Sequence, residues 1–244
     1  MNGLKETLQY VVEMDEPHII EHEGQKYSDK HLSRIHYKPY ADTLTVTTLT
    51  GLVDYIKSKV DAMNAHMFIQ VVNPTQVKLF SALDEDRNRE AIMEVKAQIP
   101  QFSFDEYLEN ERFIIGMQSK FVDYEGDTDK ALVLKFAGTV EVGSVAEYGD
   151  DGVSQKAAIK NGIATKSDAI VPNPVLLRPF RTFTEVEQPK SSFIFRMKQN
   201  KYDGISCAIF EADGGAWKNE AMRNIKNFLT SELSEFLNDI TIIA

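Results

Sequence analysis

Between Val175 and Ile240 the chain alternates short apolar runs with turn signals and then closes on a long amphipathic repeat. Phe193, Phe195 and Met197 alternate with Ile194, Arg196 and Lys198, the two-residue period of a strand with one face on a core. Asp203-Gly204 tolerates positive φ at both positions, which predicts a tight hairpin turn with Ile205 to Phe210 as the return strand. Asp213-Gly214-Gly215 then breaks the chain. Trp217, Ala221, Ile225, Phe228, Leu229, Leu233, Phe236 and Leu237 follow at helical spacing over about six turns. A stripe of that length must be covered, and the aromatic strands beside it are the nearest apolar surface. The expectation is a C-terminal strand-hairpin-helix unit over about 174–244, its long helix packed on the sheet, with Phe193, Phe195 and Trp217 as scaffold.

The remainder of the chain reads in the same mixed way. Leu4, Leu8, Val11 and Val12 predict a short first helix. From about 14 to 40 the pattern is polar and punctuated by Pro17, Gly24 and Pro39, which predicts a hairpin or extended arm. Thr43 to Leu49 reads as a strand, and Leu49, Leu52, Val53, Ile56 and Val60 form one helical face. His66–Val72 and Gln76–Leu83 predict a hairpin about Asn73-Pro74, followed by a strand over Ala91–Ile99. Ser103 and Glu106 have capping-box spacing, so a helix is expected to start there. A second hairpin is expected from Ala131–Phe136 and Thr139–Val145 about Ala137-Gly138. Lys166 to Pro174, with two prolines, is expected to be a long connection. Strands joined mostly by hairpins, with three to four amphipathic helices, point to an α+β fold of mainly antiparallel sheets in a single domain over 1–244.

Composition narrows the function classes. The formal net charge is −10, which opposes general attraction to phosphate backbones. No run approaches the roughly 20 apolar residues that cross a bilayer, so no membrane span is expected. The first six residues carry neither an apolar core nor a small-residue cleavage site, so no signal peptide is expected. The single cysteine, Cys207, cannot form an internal disulfide and sits in an apolar run with no histidine near it in sequence. It reads as a small core residue of a protein in a reducing cytoplasm.

The run Leu177-Arg178-Pro179-Phe180-Arg181-Thr182-Phe183, with Glu185-Val186-Glu187-Gln188-Pro189, Phe195-Arg196 and Glu211-Ala212-Asp213-Gly214-Gly215-Ala216-Trp217, resembles the C-terminal half of the YfdQ-like proteins. The match is best over roughly residues 174–229. The resemblance implies a protein of tailed bacteriophages and prophages that acts in the host bacterial cytoplasm. It brings no catalytic or binding residues with it.

Several residue groups are candidate sites. His18, His22, His31 and His36 lie near Glu21 and Glu23, yet Pro17 and Gly24 argue against the helix that would bring His18 and His22 together. Solvated histidines are the plainer reading, and no metal or other cofactor is expected. Asp84, Asp86 and Asn88 start like a calcium loop, but the sixth and twelfth positions hold Arg89 and Val95 instead of glycine and glutamate. Arg178, Arg181, Arg196 and Lys198 lie among phenylalanines, a mixture that suits single-stranded nucleic acid. On a strand over 177–183, Arg178 and Phe180 would share a face; on the 193–198 strand the basic residues point away from the aromatics. Asp213, Gly214 and Gly215 precede a helix N-terminus that could hold an anion, although Asp213 can cap the same N–H groups itself.

No reaction centre is legible in these residues. The expectation is a non-enzymatic accessory protein that self-associates and binds a host or phage protein, including a counter-defence role. A single-stranded nucleic-acid accessory protein in phage recombination or replication is the alternative. A metal-dependent hydrolase or nucleotide-binding protein is the third.

Overall fold

The structure is a computed structural model that describes residues 2–14, 17–31, 41–61, 66–84, 87–124, 126, 128–145, 155–161, 165–200 and 204–244. The chain divides into two units, Met1–Ala41 and Asp42–Ala244.

The first unit holds a helix, α1 (Asn2–Met14), and an antiparallel hairpin of β1 (Ile19–His22) and β2 (Gln25–Ser28). The hairpin turns at Glu23 and Gly24, both with positive φ. Glycine adopts this at no steric cost; Glu23 is the less usual occupant. The hairpin and the first helix both fall where the sequence predicts them.

The second unit begins with β3 (Leu44–Val46), α2 (Leu49–Ser58), β4 (Met67–Asn73), β5 (Gln76–Ser81) and β6 (Ala91–Lys96). Two short elements follow, β7 (Leu108–Glu109) and α3 (Asn110–Lys120), then α4 (Asp129–Thr139), β8 (Val140–Val145), β9 (Lys156–Asn161) and β10 (Thr165–Ile170). The C-terminal third supplies β11 (Val175–Leu177), β12 (Ser191–Asn200), β13 (Gly204–Glu211), α5 (Ala216–Glu232) and β14 (Ile240–Ile243). The strands form a five-stranded sheet in the order β14-β4-β5-β6-β3, a four-stranded sheet β11-β12-β13-β7 and a three-stranded sheet β10-β9-β8. Most pairings are antiparallel, so the fold is α+β as expected; β14 with β4 and β3 with β6 are parallel.

Two hydrophobic cores result. In the first, Leu49, Leu52, Val53 and Ile56 of α2 and Ile225, Leu229 and Leu233 of the terminal helix region close over Ile69, Leu79 and Val95 of the five-stranded sheet. In the second, Phe113 and Met117 of α3 and Val133 and Phe136 of α4 close over Phe193, Phe195, Met197, Cys207 and Ile209. Phe113 stacks on Phe195 with centroids 5.7 Å apart, and Phe104 on Phe193 at 5.7 Å. Burying each such ring contributes on the order of 2–3 kcal/mol before entropy is subtracted.

The segment Arg178–Lys190 runs between the cores without regular structure. Phe183 and Val186 seat in the first core, whereas Leu177 before it and Phe193 after it seat in the second. The Gln188 side chain holds this segment in shape. Its carbonyl oxygen accepts from the N–H groups of Arg181 (2.9 Å) and Thr182 (3.2 Å), and its amide donates to the Phe183 carbonyl (2.9 Å). The Thr182 hydroxyl donates to the Pro74 carbonyl at 2.5 Å, tying the segment to the β4–β5 turn.

Several sequence expectations are corrected. No helix starts at Ser103: Asp105 has φ +62°, and its N–H donates to Ile209 while its carboxylate accepts from Glu211 N–H, so the chain edges β13 instead. The helix begins at Asn110, where the Glu109 carboxylate caps the N–H groups of Glu111 and Arg112. Residues 131–136 are helical within α4, because Val133, Phe136 and Ala137 together supply a buried face at three- and four-residue spacing. Lys166–Pro174 is mostly strand β10, with only its last residues connecting. The strand expected over 177–183 stops at Leu177, since the Gln188 contacts curl the backbone away. The stripe from Trp217 to Leu237 is not one helix: α5 ends at Glu232 and a 3-10 turn holds Ser234–Phe236. Val60 lies beyond the left-handed Lys59 that ends α2, and is exposed.

Candidate functional site

α5 starts with a turn in which Asp213 does the capping. Its carboxylate accepts from Gly215 N–H at 3.0 Å and Trp217 N–H at 3.3 Å. Gly214 and Gly215 both have positive φ, which lets the chain reverse before the helix. Capping by Asp213, the plainer sequence reading, is what the turn shows: the Gly215 and Trp217 N–H groups are engaged by its carboxylate. Partial burial works against ionising this carboxyl, but the Gly215 and Trp217 N–H groups, the Ser191 hydroxyl and the nearby Arg181 outweigh it and hold it below the usual carboxylate range.

That turn places the Trp217 ring over Arg181. The guanidinium carbon lies 4.0 Å from the indole centroid, 5.4 Å from Phe193 and 5.7 Å from Phe104. Nη1 donates to Glu211 Oε1 at 2.5 Å and Nη2 to the Ser191 hydroxyl. Arg181 is only 6% exposed. Burial lowers its pKa from the ordinary arginine value, and the charges of Glu211 and Asp213 offset part of that. Its Nε and the Trp217 Nε1 have no hydrogen-bond partner and are closed to solvent. For Nε the aromatic faces around the cation take the place of an acceptor.

Outside this cation lies a cleft of about 380 Å³. Pro100, Phe102, Phe104, Pro179, Phe180 and Trp217 supply its apolar walls, and Lys120 and Arg181 its charge. A second cleft of about 310 Å³ shares Lys120 and follows the outer face of α3 past Ile115 and Gly116. The first has the size and apolar character of a small-ligand or peptide site. Its arginine is committed to a carboxylate and an indole.

The four basic candidates for a nucleic-acid or ligand contact, Arg178, Arg181, Arg196 and Lys198, do not form one group. Arg178 donates to Glu187 at 2.6 Å and to the Gln188 carbonyl at 3.2 Å, and it stacks on Tyr124 at 4.7 Å. Arg181 is interior. Arg196 and Lys198 lie on the face of β12 opposite the buried Phe193, Phe195 and Met197, and Lys198 Nζ sits 4.0 Å over Tyr107. Scaffold roles are right for Phe193 and Phe195, both fully buried, and incomplete for Trp217, which is half-buried and walls the cleft. Helical spacing alone sets Trp217 at the start of the helix. Its pairing with Arg181, like the Ser191, Glu211 and Gln188 contacts, joins residues whose sequence separation carries no periodic signal.

Among the described residues no group of three His, Cys, Asp or Glu side chains could hold a metal ion. His18 Nδ1 lies 3.2 Å from Asp29, while His22 and His31 are exposed; His36 lies outside the described residues. Asp84 accepts from Asn88 N–H at 2.7 Å in a turn, and Asp86 is also outside the described residues. Cys207 is buried, and that burial pushes its thiol up to about 12, with Glu109 adding to the effect. No helix of the described residues is long and apolar enough to cross a membrane. Neither the family models, nor the curated proteins, nor the solved structures contain a match to this chain.

Proposed function

We propose that this chain is a phage-encoded, non-enzymatic accessory protein that self-associates and acts in the bacterial cytoplasm by binding a host or phage protein. The observation that carries the reading is the N-terminal unit. Its described side chains from Gly3 to Val12 and from Pro17 to His31 are all exposed except that of Lys30, which is half-buried. A two-stranded hairpin is marginal in water by itself, and so is a helix of this length. Eight aliphatic and aromatic side chains on these elements, Leu4, Leu8, Tyr10, Val11, Val12, Ile19, Ile20 and Tyr27, are more than half exposed. An apolar surface of that kind gains free energy from whatever covers it, which is the property of an interaction module.

The resemblance over 174–229 supports the phage setting. The net charge of −10 favours a basic surface on the second partner. Size-exclusion chromatography with light scattering at micromolar concentration tests the first half: a mass above the 27.6 kDa of one chain is expected, and a strict monomer refutes self-association. Affinity capture from host lysate at low and high salt tests the second: a partner lost at high salt is expected, and no enriched protein at either salt removes that half.

A further inference from the structure

Leu4, Leu8, Val11 and Val12 are 75%, 60%, 56% and 64% exposed. At 3.6 residues per turn they fall within an arc of about 100° on α1. Leu8 is the midpoint between Leu4 and Val12, so those three residues are symmetric about it, whereas Val11 has Lys5 as its counterpart. Lys5 is the one charged side chain beside the stripe; Glu6 projects from the other side of the helix.

We propose that α1 is the interface between two copies of this chain, packed antiparallel about a two-fold axis through Leu8. This rests on the self-association reading above and names its surface. In that arrangement Leu8 meets Leu8 of the second copy, and Leu4 meets its Val12. Lys5 lies along Val11 of the second copy, with its aliphatic stem covering the valine and its ammonium in water. A parallel arrangement would set Lys5 against Lys5, and would also align the two helix dipoles unfavourably. A closed two-fold contact uses the same patch on both copies, which the Leu4-Leu8-Val12 row supplies without a second surface.

Area favours a second copy over a small ligand. The four α1 side chains expose on the order of 400 Å² per copy. On the hairpin, the cross-strand partners Ile20 and Tyr27 share one face, at 66% and 52% exposure, and Ile19 lies on the opposite face. A stable interface buries about 800 Å² per partner. The α1 stripe alone supplies about half of that, the size of a weak, transient dimer.

The test uses the full chain. Sedimentation equilibrium is expected to give a dimer at about 10–50 μM, and Leu8→Asp to weaken it at least 100-fold, an effect of about 2.7 kcal/mol. Ile115→Asp, on the exposed face of α3, is expected to leave the dimer unchanged. Leu8→Cys, on the two-fold axis, is expected to form a disulfide-linked dimer under mild oxidant, and Glu6→Cys is not; the buried Cys207 stays silent in both. A chain that is monomeric at these concentrations overturns the interface and the self-association reading together. An oligomer that ignores Leu8→Asp, or in which Leu8→Cys cross-links no faster than Glu6→Cys, overturns the α1 interface alone.

Discussion

Replacing Arg181 with alanine tests the description of the Arg181–Trp217 contact most directly. Arg181 is 6% exposed and its charge is met by Glu211 at 2.5 Å, by the Ser191 hydroxyl and by the Trp217 face at 4.0 Å. Removing one member of a fully buried ion pair costs about 3–5 kcal/mol, mostly because the other charge is stranded. Here the Glu211 side chain is 33% exposed and can turn toward water, which takes the value to the low end. Loss of the cation–π contact, worth about 1–2 kcal/mol when desolvated, acts in the other direction. The expected loss is about 3 kcal/mol. For a unit of this length that corresponds to a fall in Tm of about 6–12 °C. Urea titration followed by Trp217 fluorescence is a suitable assay, because the only tryptophan lies on the altered group. The Arg181→Ala, Glu211→Ala and double variants give a coupling energy, expected at about 1–2 kcal/mol. A loss below about 1 kcal/mol for Arg181→Ala, with no coupling, would show that this arginine is not the buried linchpin described above.

Gln188→Leu removes the acceptor of two buried N–H groups and should cost about 2–3 kcal/mol in urea titrations, because those donors are left unpaired. Gly116→Ala would set a methyl group 2.8 Å from the Phe102 ring, so about 1–2 kcal/mol of destabilisation is expected, read as a lower Tm. The Asp213 carboxyl is held below its ordinary value, so its stabilising effect is present above the unfolded-state pKa of about 4 and fades as pH falls through the folded value. Asp213→Asn should therefore flatten the decline in urea midpoint between pH 5 and pH 3. Cys207, with its thiol raised to about 12, should stay unmodified by a thiol reagent at pH 8 until the chain unfolds; rapid native-state labelling would contradict its burial.

Local periodicity made most elements legible. The alternation at 193–198 gave β12, and spacing from Leu49 to Ile56 gave α2, because each pattern is imposed by one neighbouring core. Competing patterns failed where two physical signals overlapped. Residues 131–136 form a nearly continuous apolar run, as a buried strand would, and their Val133 and Phe136 also share one helical face with Ala137; only packing against the second core decides. At Ser103 a sound capping-box spacing lost to the backbone bonds that Asp105 makes with β13. Strand β14 went unseen because its pairing with β4 spans most of the chain. The candidate site was the least legible part. Arg181 and Phe180 stood out by type, but whether a cation faces solvent or an indole depends on contacts that no local pattern encodes.

The passage from Arg178 to Lys190 has a consequence for how the second unit comes apart. Phe183 and Val186 anchor it on one side, and Leu177 and Phe193 anchor its two ends on the other. Melting either half would drag a guanidinium and the Gln188 amide out of the contacts that satisfy them. The two halves should thus share one cooperative transition, and a substitution deep in α2 should be felt in the exchange rates of β12 amides.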